Sequence, residues 1–126
     1  MHDEILSHET MRELAKKISA TGHLEKAQAV FGYGLEGEVL ASALCFLYKK
    51  PSLGREIIDR NEIKIFPEEI ALLVVAHSID NPEALFGIIR QFRKKGIKIE
   101  EIVATKKPAP EIEDELRVLG IDLVVV

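Results

Sequence analysis

Hydrophobic and polar residues alternate between helical and extended spacing along the chain. The first helical stripe follows Thr10 and Glu13, which have the T-x-x-E spacing of a capping box, and Gly22 is placed to end the helix. Its apolar residues are Met11, Leu14, Ala15 and Ile18. One amphipathic helix is therefore predicted before the first strand.

Four short apolar runs have the length and composition of buried strands: 27–31, 71–76, 99–104 and 123–126. The run 71–76 is apolar on both faces, which is typical of a strand in the middle of a parallel sheet. Helical patterns separate the runs. This alternation predicts one α/β domain over residues 1–126, with three layers and a mainly parallel sheet flanked by helices on right-handed crossovers.

Turn and cap residues mark the ends of the later helices. Pro51 lies beyond the helix that follows the first strand, and Asn81 and Pro82 have the types preferred at an N-cap and a first helical position. Gly96 and Gly120 are placed to end the last two helices, predicted to reach about residue 95 and to span 111–119. Between the second helix and the 71–76 strand, 57–58 and 63–65 have the pattern of short strands.

Composition narrows the functional classes. The chain has 126 residues, of which 47% are hydrophobic and 30% charged, and its formal net charge is −4. This is the composition of a globular protein, and the acidic balance argues against nucleic acid as a partner. Cys45 alone cannot form an internal disulfide. No signal peptide and no apolar stretch of about 20 residues is present, so we expect a cytoplasmic protein without a membrane partner.

Two loops are candidates for a ligand site, because ligands of open parallel sheets bind beyond the carboxyl ends of the strands. The first is a predicted glycine-rich turn, G-x-G-x-x-G over 32–37, which has the form of a dinucleotide fingerprint or of a tight turn that needs glycine for its geometry. The second is the loop 77–81. The candidate ligand-binding residues are Gly32, Tyr33, Gly34, Leu35, Glu36, Gly37, His77, Ser78, Ile79, Asp80 and Asn81.

Carboxylates near both loops disfavour a phosphate. Glu36 and Glu38 lie near the first helix start, and Asp80 and Glu83 flank the second. They stabilise a helix N-terminus but compete with an anionic ligand. The four histidines have no metal-ligand spacing, so no metal site is predicted, and the sequence leaves any catalytic residues unknown.

Read in order, the segments resemble type I phosphoribosyltransferases, and the orotate branch most closely. The resemblance covers 29–44, 72–75, 85–96, 99–104 and 116–126. It implies a strand that ends in a pyrophosphate loop, and a later strand that runs into the loop for phosphoribosyl pyrophosphate. It also implies magnesium or a nucleotide as the cofactor, and phosphoribosyl transfer as the activity if the chain is an enzyme.

The departures from this family fall in the loop for phosphoribosyl pyrophosphate. Where the family has two adjacent acidic residues, this sequence has Ala76 and His77. Where the family has a Thr- and Gly-rich phosphate turn, the sequence has 79–83, with Asp80 and with Pro82, which lacks an N–H. We therefore expect a phosphoribosyltransferase-like domain without transfer activity. It would bind a small ligand of nucleotide or phosphate type, or act through subunit contacts, as a homodimer.

Two alternatives remain open. The intact G-x-G-x-x-G, with Glu56 or Asp59 as the acidic residue about 20 positions on, and the tail 114–125 resemble the nucleotide-binding Rossmann regulatory domains of potassium transport systems. The second alternative is a non-enzymatic assembly protein, in which apolar helix faces extend into a dimer seam.

Overall fold

The computed structural model describes residues 7–54 and 70–126, and these residues form a parallel sheet with helices on both faces. The elements are α1 (His8–Ala20), α2 (His23–Lys26), β1 (Ala29–Tyr33), α3 (Gly34–Tyr48), β2 (Ile70–Ala76), α4 (Pro82–Lys94), β3 (Ile97–Ala104), α5 (Pro110–Val118) and β4 (Asp122–Val125). This confirms the predicted fold class.

The strands of the described residues pair in the order β1-β2-β3-β4, and all three pairings are parallel. On its other side, β1 is bridged by the segment 51–53. The Val30 N–H donates to the Pro51 carbonyl at 3.0 Å, and the Leu53 N–H donates to the Val30 carbonyl at 2.9 Å. The segment that follows α3 therefore lies next to one edge of β1, whereas β2 and the later strands lie beyond its other edge. Open α/β sheets bind their ligands where the strand order changes direction in this way.

Alternate residues of each strand supply two separate cores. On one face, Phe31 and Val74 pack with Phe92 of α4, and the Phe31 and Phe92 rings meet edge to face at 5.2 Å between centroids. On the other face, Val30 packs with Leu44 of α3 and with residues of α1. The central strands are covered on both sides, as their two-sided apolar pattern predicts.

The start of the chain differs from the predicted pattern in two places. The capping box at Thr10 is wrong: α1 begins at His8, because the Ser7 hydroxyl caps it by accepting from the Thr10 N–H at 3.2 Å. Residues 23–26 form the short helix α2, which the hydrophobic spacing does not predict. Since this turn of helix occupies the connection, β1 begins at Ala29 rather than at residue 27.

Helix starts and stops farther along the chain follow the local signals, with one correction. The Asn81 side chain accepts from the Ala84 N–H at 3.2 Å, and Pro82 is the first helical residue, as predicted. The turn predicted over 32–37 is shorter, because α3 begins at Gly34. The strands predicted at 57–58 and 63–65 lie outside the described residues.

Candidate functional site

Glycines bring β1, α3 and β2 together at the carboxyl end of the sheet. A Cβ atom on Gly32 would lie 2.3 Å from the Gly37 carbonyl oxygen, and one on Gly37 would lie 2.7 Å from the Val75 carbonyl oxygen. Both positions therefore need glycine for close backbone packing. Gly34 differs, since its φ of +75° requires glycine while its missing side chain would point into open space.

A cleft of about 550 Å³ opens beside the end of β1. Its walls are the start of α3, the segment 52–54 and one face of α4 near its N-terminus. Four of the predicted site residues contribute to it: Gly32, Tyr33, Gly34 and Leu35. In the described parts of the chain, Glu36 and Gly37 are not among the residues that line it.

Three polar side chains of the cleft lie outside the set of predicted ligand-binding residues. Glu38 and Ser42 lie four residues apart on one face of α3, and Ser52 lies on the segment paired with β1. Among the described residues, no hydrogen bond or ion pair engages these three side chains. The helical spacing of residues 35, 38 and 42 could have indicated a shared face, but the position of Ser52 depends on strand pairing.

The polar side chains of the second predicted loop are hydrogen-bonded within the domain. His77 Nδ1 lies 2.5 Å from the Thr105 hydroxyl, and the Ser78 hydroxyl donates to Asp80 at 2.9 Å. Asn81 caps α4, and Ile79 is 6% exposed in the core. In the part of the chain that the structure describes, none of residues 77–81 lines the cleft. The structure thus brings the two loops to the same edge but does not join them in one pocket.

Tyr33 connects the two loops. Its hydroxyl donates to the Asn81 carbonyl at 2.8 Å, and its ring packs against the core on the α4 side of the sheet. Burial raises the pKa of the Tyr33 phenol, and the nearby Asp80 carboxylate raises it further. The neutral phenol is therefore favoured, and it holds the end of β1 against the start of α4.

We expect Tyr33→Phe to lower the free energy of unfolding by about 0.5–1.5 kcal/mol at neutral pH, because one hydrogen bond between the loops is lost. The unfolded phenol ionises near pH 10 and the folded one at higher pH. The advantage of the wild type is therefore complete below about pH 10 and shrinks as the pH rises further. Urea denaturation of both proteins from pH 7 to 11 measures this difference. A constant difference across that range would contradict the assignment.

The residues at the end of β2 do not fit the magnesium site that the family resemblance implies. The methyl side chain of Ala76 is fully buried, and His77 is hydrogen-bonded to Thr105. Mg²⁺ binds through carboxylates and phosphate oxygens, which these two residues do not supply. Among residues 7–54 and 70–126, no three His, Cys, Asp or Glu side chains are grouped as metal ligands.

The single cysteine of the chain lies in a packed position. Cys45 is partly buried against the core between α3 and the sheet, and burial raises the pKa of its thiol. It is therefore a packed thiol rather than an activated nucleophile.

Of the helices that the structure describes, none has the length and apolar character needed to cross a bilayer.

Neither a family model nor a curated protein matches this chain, but solved structures do. UMP synthase from Leishmania donovani aligns with 92% of the chain, with a TM-score of 0.73 and 18% identity. Orotate phosphoribosyltransferase from Aeropyrum pernix aligns with 82%, with a TM-score of 0.62 and 17% identity. The chain has a type I phosphoribosyltransferase-like fold.

The resemblance inferred from the sequence is thereby confirmed at the level of the fold. The aligned region is 26% of the UMP synthase chain and 60% of the orotate phosphoribosyltransferase chain. The phosphoribosyltransferase-like fold places the loops after β1 and β2 at one edge of the sheet, where the cleft also lies.

Proposed function

We propose that this chain is a phosphoribosyltransferase-like domain that does not transfer phosphoribosyl groups and that binds a small ligand in the cleft beside β1. The observation that carries the proposal is the hydrogen bonding of the polar side chains in the loop after β2. Its polar side chains are hydrogen-bonded within the domain, whereas among the described residues those of Glu38, Ser42 and Ser52 in the cleft are not.

The loss of transfer activity follows from the groups that the loop presents. In the family that the fold resembles, adjacent acidic residues hold the ribose hydroxyls and help to place magnesium. Here the corresponding positions hold the buried methyl group of Ala76 and the imidazole of His77. Pro82 lacks one backbone N–H of the phosphate turn, and the exposed Asp80 carboxylate repels a phosphate. The end of β2 therefore supplies no carboxylate pair for the magnesium ion, and the loop meets the 5′-phosphate with one N–H fewer and with a negative charge.

The cleft has the size and surface expected of a small-molecule site. Its volume of about 550 Å³ lies within the usual range of roughly 300–1,000 Å³ for ligand pockets. Buried Phe31 and Leu53 provide apolar surface, and Ser42 and Ser52 provide hydroxyl groups. A few convergent polar groups in an apolar cleft are the usual basis of ligand orientation.

Isothermal titration with phosphoribosyl pyrophosphate and MgCl₂ tests the proposal. We expect no saturable heat up to millimolar ligand, because Ala76 and His77 supply no carboxylate for magnesium and the Asp80 carboxylate repels the 5′-phosphate. The orotate phosphoribosyltransferase of Aeropyrum pernix serves as the positive control under the same conditions. Micromolar binding, or turnover of a nucleobase, would overturn the proposal.

The Rossmann alternative is tested in the same titrations with NAD, NADH, ATP and ADP. A single nucleotide that binds far more tightly than the others would favour that alternative. Its acidic candidates, Glu56 and Asp59, lie outside the described residues.

A role through subunit contacts is the second candidate function. At the C-terminal end of α3, Phe46 is 85% exposed, and Leu47 and Tyr48 are also exposed. Three exposed apolar residues in succession at one helix end are a candidate surface for a protein partner. A homodimer that uses this end of α3 would cover them, and the stability measurements on Phe46 described below test it.

A further inference from the structure

We propose that the cleft beside β1 selects a cationic ligand, an ammonium group attached to a small apolar body. This inference rests on the proposed function, since both place a ligand in the same cleft. It adds the charge and the chemical class of that ligand.

The charges of the cleft favour a cation. Among the described residues that line it, Glu38 supplies a carboxylate, and none is Lys, Arg or His. The formal net charge of the chain, −4, acts in the same direction on an approaching ligand. An anion would meet the Glu38 carboxylate and, among the lining residues that the structure describes, no positively charged side chain. The phosphate type of ligand expected from the sequence is therefore the disfavoured one.

The acceptors of the cleft match the donors of an ammonium group. Glu38 and Ser42 are neighbours on one face of α3 at i and i+4. Ser52 belongs to the segment that pairs with β1 on the side away from β2. A carboxylate and two hydroxyl oxygens match in number the three N–H donors of an ammonium group. No group in the described parts of the chain occupies these side chains, so a ligand need not displace an internal bond.

The remaining walls suit an apolar body. Phe31 and Leu53 line the cleft and are buried, and Ile88 of α4 lines it and is partly buried. Apolar surface that a ligand removes from water stabilises the complex. The expected ligand therefore pairs an ammonium head, near the acceptors of α3, with a ring or short hydrocarbon.

Three indole probes of nearly equal size test this inference: tryptamine is cationic, tryptophol is neutral and indole-3-acetate is anionic. Each is titrated into the ¹⁵N-labelled protein, and amide shifts of Gly34 and Ser42 locate the binding. We expect tryptamine to bind roughly fivefold more tightly than tryptophol, as for an exposed charge pair. Indole-3-acetate is expected to bind more weakly than either.

Glu38→Gln is the decisive variant, because Glu38 is exposed and its replacement leaves the core intact. We expect it to abolish the preference for tryptamine over tryptophol. Glu115→Gln removes the same charge from the exposed face of α5 and is expected to retain the preference.

The inference is overturned if no probe perturbs the cleft, if tryptophol or indole-3-acetate binds as tightly as tryptamine, or if Glu38→Gln keeps the preference. The proposed function fails by a different result, the binding of phosphoribosyl pyrophosphate with magnesium. The two failures are therefore distinguishable.

Discussion

Replacement of Phe92 by alanine is expected to lower the free energy of unfolding by about 3–5 kcal/mol. Phe92 is 0% exposed, and its ring meets that of Phe31 edge to face across the interface between α4 and the sheet. Alanine removes this aromatic contact and leaves a cavity that close-packed neighbours refill only in part. The midpoint of urea denaturation, with the slope unchanged, measures the loss.

Phe46→Ala is the matched control for this substitution. The same atoms are removed from a side chain that is 85% exposed on α3, so we expect a change within about 0.5 kcal/mol. Equal losses in the two variants would contradict the assigned core. A loss in Phe46→Ala that grows with protein concentration would instead support a homodimer through this end of α3.

Gly32→Ala is expected to cost about 3 kcal/mol, because the added methyl group meets backbone rather than a flexible side chain. Its Cβ would lie 2.3 Å from the Gly37 carbonyl oxygen and 2.6 Å from the Glu38 Cα. Relief of this overlap requires the first turn of α3 to move away from β1. Since Gly32 and Glu38 both line the cleft, the same movement alters the proposed ligand site.

Gly87→Ala provides the matched control within a helix. A Cβ at Gly87 of α4 has no heavy atom within 4 Å, among those considered in the described structure. Alanine is favoured over glycine in a helix interior by about 0.5–1 kcal/mol, so we expect a modest gain in stability. Urea denaturation of both variants gives the comparison. If Gly32→Ala is as stable as Gly87→Ala, the close packing at Gly32 is wrong.

The order of strands and helices was predictable because each depends on local sequence. The two-sided apolar run of β2, the Asn81–Pro82 helix start and the left-handed Gly96 were each recognised from neighbouring residues. The errors in the predicted helices arose where two residues could cap the same helix or where the hydrophobic periodicity was absent. Ser7 caps α1 in place of Thr10, and α2 forms from residues with no clear periodicity.

The candidate site was predictable only in part. The loop after β1 borders the cleft. It could be selected from the sequence, because the glycines that allow its close packing are evident there. The contribution of Ser52 was not predictable, since its pairing with Val30 joins segments that are distant in sequence. The loop after β2 was selected because it leaves a strand at the carboxyl edge of the sheet, yet its histidine is bonded to Thr105, 28 positions later.

By itself, the sequence determined the alternation of strands and helices, the parallel sheet and the edge at which the loops meet, because backbone periodicity and turn chemistry are local properties. Only the tertiary structure decided which polar groups remain available to a ligand. Glu38, Ser42 and Ser52 face the cleft, while His77 and Asn81 are used within the domain. Strand register and helix packing set those partners, and both depend on contacts between distant segments.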